Sequence, residues 1–555
     1  MLLRRIYRCS FSVARTCMTK SQRNGPSSSS NGTKTYFITT PIFYVNAAPH
    51  MGHLYSSVLA DTSGRYQRLH GKDVLFCTGT DEHGLKIQQA ADNNKKCPEE
   101  FVSEISNSFK TMFDSFNIQY DDFIRTTEQR HIHTVQKFWK KLESNGCIYK
   151  GSYEGWYSVS DEAFLSDNDV TDGKDKNGQN IKVSIESGHP VTWMKEENYM
   201  FNISKYKQQI LQWLDSGAIQ PDIFTPIVKS WIENIPDLSV SRPSSRLSWG
   251  IPVPGDDTQT IYVWLDALVN YLTVCDYPEQ HQQYWPANVQ VIGKDILKFH
   301  GLYWPAFLFA AGLEPPKKLF CHSHWLVNSV KMSKSLGNVV DPMIVKEKYS
   351  ADVFRYYLLR EGVPHQDGNY NEEVAMEYVN ADIVNTLGNL IGRCTGMSVN
   401  PQQIYPRKNE DIYLSKITAS DRETFENLDI LVDTVCEHYE KMLFRPGIES
   451  IMSYLRWANG LVQQHEVWKL AKSENESDLL QLKCVIHIAL ETLRVSGILL
   501  QPVIPTLSNK LLNRLGIPAN RRTLKCAKVS YLNSPDGYPL GPNEGVLLKK
   551  IKVKK

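Results

Sequence analysis

Residues 35–78 read TYFITTPIFYVNAAPHMGHLYSSVLADTSGRYQRLHGKDVLFCT. Thr35-Tyr36-Phe37-Ile38-Thr39-Thr40 is β-branched and aromatic, the composition of a strand, and Pro41 is expected to end it. From about Pro49 to Leu69 the apolar residues Met51, Leu54, Val58 and Leu59 recur at helical spacing, with Gly71 behind them as a C-cap. Asp73-Val74-Leu75-Phe76-Cys77-Thr78 is a second strand. Strand, helix, strand in such short order predicts an open α/β sheet with parallel strands.

Working outward, residues 118 to 240 look different. Asp167 to Asn180 is rich in Asp, Asn, Gly and Lys, and Tyr153, Trp156, Tyr157, Trp193 and Tyr199 are spread around it. That composition predicts hairpins inserted into the sheet domain. Strand signals resume at Gln259-Thr260-Ile261-Tyr262-Val263-Trp264 and at Val289-Gln290-Val291-Ile292. From Ala351 to Pro518 the pattern is almost wholly helical, which predicts a separate α-bundle. The apolar runs are far shorter than the 18 or so residues that a membrane span needs.

The 555 residues include 62 Lys and Arg against 60 Asp and Glu, but the charge is uneven. Residues 1–34 hold seven basic residues and no acid, and the first acid of the chain is Asp61. This Arg- and Ser-rich arm has the composition of a mitochondrial transit peptide, and arginines interrupt every apolar stretch that a secretory signal would need. Without it, 55 basic residues face 60 acidic ones, so nucleic acid would have to be met by local patches. Arg514 to Lys555 carries ten basic residues against Asp536 and Glu544, which fits either such a patch or a solvated tail. The eleven cysteines show no CxxC and no regular spacing, arguing for a reducing compartment. His131 and His133 read as surface histidines on a helix, and Cys321-His322-Ser323-His324 lacks a second ligand pair at finger spacing.

No GxGxxG, P-loop, GxSxG or HExxH occurs, which disfavours a nicotinamide dehydrogenase, a Walker NTPase and a zincin. Two other clusters carry chemistry. His50-Met51-Gly52-His53 stands where the first strand hands over to its helix. A helix N-terminus favours phosphate, Gly52 has no Cβ to keep a base or ribose away, and two imidazoles three apart can hydrogen-bond phosphate oxygens. Lys331-Met332-Ser333-Lys334-Ser335-Leu336-Gly337-Asn338 puts two ammonium groups and two hydroxyls on one short loop, a clamp suited to a polyphosphate. Taken singly, each motif is weak.

Together they resemble the two signatures of class I aminoacyl-tRNA synthetases, with Met51 where Ile or Leu is usual. Pro41-Ile42-Phe43-Tyr44-Val45-Asn46, Thr78-Gly79-Thr80-Asp81-Glu82-His83-Gly84, Tyr262-Val263-Trp264-Leu265-Asp266-Ala267 and Gly293-Lys294-Asp295-Ile296 narrow the resemblance to the methionyl-tRNA synthetase family, over residues 35 to about 520. The resemblance implies a Rossmann-like parallel-sheet catalytic domain of α/β class, a connective insertion, and an all-α anticodon-binding bundle. The expected division is arm and linker (1–34), first catalytic half (35–117), insertion (118–240), second catalytic half (241–320), KMSKS loop region (321–350), bundle (351–520) and basic extension (521–555). The implied reaction is ATP-dependent ligation of L-methionine to tRNA(Met) through methionyl-adenylate, in the mitochondrial matrix.

The same resemblance implies roles residue by residue. His50, His53, Lys331 and Lys334 would be catalytic. ATP, arriving with Mg²⁺, would touch His50, Gly52, His53, Gly293, Asp295, Lys331, Ser333 and Lys334. Methionine would be held by Ile42, Tyr44, Asp81, Trp264, Leu268, Tyr271, Ile296, His300 and Trp304, with Asp81 on the α-ammonium and Leu268 where the family often has Pro. Aromatic rings suit a polarizable thioether. Asn389, Arg393 and Trp468 would read the CAU anticodon by forked donors and stacking. Some relatives carry zinc on cysteine pairs in the insertion; here Cys147 is the sole cysteine between residues 98 and 274, so no structural zinc is expected. No membrane partner is implied, and a monomer is expected. A small-molecule adenylate-forming ligase has no use for the helical bundle, and a non-enzymatic RNA-binding paralogue would be expected to have lost some of the four catalytic residues.

Overall fold

The computed structural model describes residues 34–551 apart from 159–162, 166, 176–177, 186, 234, 333–336 and 529–536. Strand β1 is Thr35–Tyr44, helix α1 is Met51–Leu69, strand β2 is Asp73–Asp81 and strand β3 is Asp122–Arg125. With Val289–Gly293, Leu319–His322 and Ile219–Gln220 they form a six-stranded sheet in the order β3, β2, β1, 289–293, 319–322, 219–220. Every neighbouring pair in it is parallel.

A parallel sheet is covered on both faces, and β1 is accordingly buried along most of its length, Thr39 and Thr40 included. Tyr36 and Ile38 enter the core shared with α1, while Phe37 enters the core on the other side. The first core continues from the sheet into the helical part, through Phe354, Leu387 and Leu455 to Ile488.

Several expectations need correction. Pro41 does not end β1; the register against β2 shifts between Thr39 and Ile42, and the strand runs on to Tyr44. An irregularity is where a residue without an N–H costs the ladder least. The segment 259–264 is a strand only to Ile261; Val263–Thr273 is a helix, so Trp264 projects from a helix. The range read as insertion holds β3 and Ile219–Gln220, both in the central sheet. Its own antiparallel sheet comprises Ile148–Ser158, Ala163–Leu165, Val170–Lys174, Asn180–Ser184, Pro190–Phe201 and Leu238–Ser239. The helical region also contributes two short strands, Gly368–Tyr370 against Trp325–Val327 and Ile404–Tyr405 against Tyr538–Pro539.

The bundle is tied to α1 by one buried guanidinium. Arg355, in helix Ala351–Glu361, pairs with Asp61 of α1 at 2.7 Å, and both side chains are fully buried. Arg355 also donates to the carbonyls of Pro502 and Val503. Burial alone would raise the Asp61 carboxyl, but Arg65 and Arg355 outweigh it and hold it below its ordinary value.

Candidate functional site

The chain leaves β1 first toward β2 and later returns on its other side at Val289–Gly293, so the sheet has a switch point beside β1. Open α/β sheets take ligands at the carboxyl ends of the strands flanking such a point. A cavity of about 560 Å³ opens there, lined by Pro41 to Tyr44, by the start of α1 and by Gly293, Asp295 and Ile296.

At one end stand His50 and His53. The Gly52 N–H donates to His50 Nδ1 at 3.1 Å, and the His50 N–H donates to His53 Nδ1 at 3.2 Å. Both Nδ1 atoms are therefore acceptors, and each neutral ring carries its proton on Nε2. The rings stack with centroids 3.8 Å apart, and Phe43 meets His53 edge-on. Gly52 eases the pairing, because a Cβ there would stand 3.0 Å from the His50 ring and press it aside. The expected anion site of free backbone N–H groups is thus altered: the Met51 N–H donates to the Val340 carbonyl and that of Gly52 to His50. The donors that this turn offers to an anion are imidazole N–H groups.

The other end is apolar and aromatic. Ile42, Tyr44, Asp81, Trp264, Leu268, Tyr271, Ile296 and His300 all line the cavity. Trp304 does not; it is fully buried behind Tyr271, ring centroids 6.0 Å apart. Trp264 stacks on Phe299 at 3.6 Å, a partner that the sequence reading missed. His300 sits on the π-helical turn Phe299–Tyr303. Its Nδ1 bonds the Ile296 carbonyl at 3.0 Å, and its Nε2 lies 2.8 Å from the Tyr271 hydroxyl. Burial pushes its pKa down to about 4, so the ring is neutral, donates from Nδ1 and accepts the tyrosine proton at Nε2. His322, likewise pushed to about 4 by burial, bonds Ser56 Oγ at 2.7 Å, and both residues line the cavity.

Asp81 closes β2 and lines the cavity, and the Val45 N–H donates to its carbonyl. Asp295, at the rim, lies 2.7 Å from His324 Nε2. Ser333 and Lys334 fall outside the described residues, and Lys331 closes the short strand Val330–Lys331. Met332 and Val339, on either side of 333–336, both line the cavity.

The reading of His131 as a surface residue is wrong. It is fully buried and bonds Asp266 Oδ1 at 2.8 Å and Thr273 Oγ1 at 3.0 Å. His83 takes the other oxygen of Asp266 at 2.7 Å. Burial pushes the Asp266 carboxyl up, but the two imidazoles outweigh it and hold it below its ordinary value. A histidine three residues into a helix gives no hint of which face it occupies, whereas the amphipathic period of Val135, Phe138, Trp139 and Leu142 would have placed His131 on the buried side.

In the bundle, Asn389 and Arg393 lie on helix Asn389–Thr395. Asn389 reaches Asn459, Arg393 reaches Gln463, both at 3.4 Å, and the Arg393 guanidinium stands 5.9 Å over the Trp468 ring. The structure therefore brings these three residues to one partly exposed corner.

A family model described as tRNA synthetases class I (M) matches residues 36–395. The chain is 48% identical over 541 residues to the mitochondrial methionine–tRNA ligase of Homo sapiens, covering 93% of this chain and 91% of the relative. It is 40% identical over 506 residues to the methionine–tRNA ligase of Rickettsia typhi, covering 88% and 95%. Among solved structures, Mycobacterium tuberculosis methionyl-tRNA synthetase in complex with methionyl-adenylate is similar at 36% identity and a TM-score of 0.87, covering 93% of this chain and 99% of that one.

Proposed function

The chain belongs to the class I tRNA synthetases of the methionine kind, and on that premise we propose that its cavity runs both half-reactions of methionine–tRNA ligation. L-Methionine and ATP enter together, ATP as its magnesium complex. The methionine carboxylate attacks the α-phosphate in line, pyrophosphate leaves, and methionyl-adenylate remains. The terminal ribose hydroxyl of the tRNA then takes the methionyl group, and AMP departs. No bond to the protein forms, so the residues position reactants and stabilise charge.

His50 and His53 donate from Nε2 to the α-phosphate oxygens as charge grows there, and Gly293 and Asp295 border the nucleotide. Lys331 and Lys334, with Ser333, hold the β- and γ-phosphates. Asp81 meets the α-ammonium by a charge-assisted bond. Trp264, Tyr271 and Leu268 enclose the thioether, and a neutral His300 keeps that end free of charge. Asn389, Arg393 and Trp468 receive the unpaired CAU bases of tRNA(Met). The enzyme works as a monomer in the mitochondrial matrix, reached by way of the basic arm 1–34.

One observation carries this reading: a single cavity is lined by the His50–His53 pair, by Asp81 and by the aromatic residues around a neutral His300. The test is ATP–pyrophosphate exchange with each amino acid in turn. Exchange is expected with methionine alone. Lys334→Ala should lower the rate by roughly 10²–10³, the scale for losing one electrostatic stabiliser. Exchange with another amino acid would overturn the pocket, and full activity in the lysine variant would overturn the clamp.

A further inference from the structure

Helix Val263–Thr273 presents Trp264, Leu268 and Tyr271 to the cavity, so its depth and rotation set the shape of the amino-acid end. Its opposite face carries Asp266 and, two turns on, Thr273, both buried. One ring grips both: His131 Nε2 is 2.8 Å from Asp266 Oδ1, and Nδ1 is 3.0 Å from Thr273 Oγ1. His131 belongs to helix Gln129–Ser144, which packs along the pocket helix. The second oxygen of Asp266 bonds His83 Nδ1 at 2.7 Å, and His83 lies two residues beyond Asp81. His83, His131, Asp266 and Thr273 are all absent from the cavity wall.

Apolar side chains of the same volume would fill this space without the cost of burying a carboxylate. What they would not supply is direction. Hydrogen bonds at two points seven residues apart fix a helix against rotation and sliding, and buried polar networks specify one arrangement. We propose that His131, acting through Asp266 and Thr273, is a positioning residue for the amino-acid end of the cavity, holding the pocket helix and the Asp81 loop in one register. This rests on the methionine-activation reading above.

The test is ATP–pyrophosphate exchange by the full chain, with KM for methionine and for ATP measured separately. His131→Ala should raise KM for methionine about 10-fold or more and shift KM for ATP less than about twofold, since misplacement near 1 Å is costly only where it occurs. His131→Gln, whose amide can still donate to Asp266, should recover most of that loss. Thr273→Val, which keeps volume and removes one anchor, should raise KM for methionine about threefold by the same reasoning. An unchanged KM for methionine in folded His131→Ala would overturn the proposal. So would equal rises in both constants with His131→Gln no better than His131→Ala, the mark of plain packing. If His131→Ala does not fold, His131→Gln and Thr273→Val decide by the same split. Failure of the wild type to exchange with methionine would instead overturn the reading beneath it.

Discussion

His300 and His322 are each buried, and each has an Nδ1 committed to a backbone carbonyl. Burial pushes both pKa values down to about 4, against about 6.5 for an unfolded histidine. Between those values the unfolded chain binds more protons than the folded one. Their contribution is therefore complete above about pH 6.5 and is lost as pH falls toward 4, at up to about 2.7 kcal/mol per pH unit for the two together. The urea midpoint should be flat from pH 8 to 7 and fall from 6.5 to 5, less steeply in His322→Gln; a midpoint level down to pH 5 would contradict the burial argument. Tyr271→Phe removes the hydroxyl that His300 Nε2 accepts from and should cost about 1–3 kcal/mol of stability, read by the same denaturation. At this scale the sequence named about half of the cavity wall, because the motifs lie at the carboxyl ends of strands. It failed where a residue acts from behind: Trp304 was read as lining and backs Tyr271, and His131 was read as exposed and is buried.

Elements are held together by fewer and stronger ties. Arg355 joins α1 to the bundle through Asp61 and the Pro502 and Val503 carbonyls. Breaking a buried pair from one side costs about 3–5 kcal/mol, whereas replacing both partners by apolar residues is often close to neutral. Asp61→Leu and Arg355→Met should each destabilise strongly, and the double variant should be no worse than either; additive losses in urea unfolding would refute the tie. Gly79→Ala should disrupt the end of β2, since its Cβ would fall 2.0 Å from the Ile124 carbonyl oxygen. Here too legibility has a physical limit. β3 is four residues long and carries Asp and Arg at its ends, so it is too short and too polar to show a strand pattern. Tyr262-Val263-Trp264 is as apolar as a strand and continues one, but buried helices are equally apolar.

Across the whole molecule, the cavity and the corner formed by Asn389, Arg393 and Trp468 lie in different parts of the chain, so the two proposed roles can be tested apart. Trp468→Ala removes the ring beneath Arg393 and touches nothing in the cavity. It should lower tRNA charging by about 10-fold or more, at about 1–3 kcal/mol per stacked base, and leave ATP–pyrophosphate exchange intact. Equal loss of both activities would refute the anticodon assignment. The basic C-terminal stretch was legible only as charge. In its described part Tyr538–Pro539 pairs with Ile404–Tyr405, and the Asn380 amide exchanges two hydrogen bonds with the Ile551 backbone, so this part is anchored to the bundle. Pairings across more than a hundred residues leave no local pattern to read.

The order of strands in the central sheet has a consequence in time. β1 lies beside Val289–Gly293, and Ile219–Gln220 pairs, among the described residues, with Leu319–His322 alone. A ribosome or an import pore that delivers the chain from its N-terminal end exposes one edge of β1 for as long as the next two hundred and more residues take to appear. The insertion sheet, drawn wholly from residues 148–239, can close before then. The half-delivered chain, with an open, apolar, unpaired strand, is the aggregation-prone form, and chaperone protection is needed during that interval rather than after it.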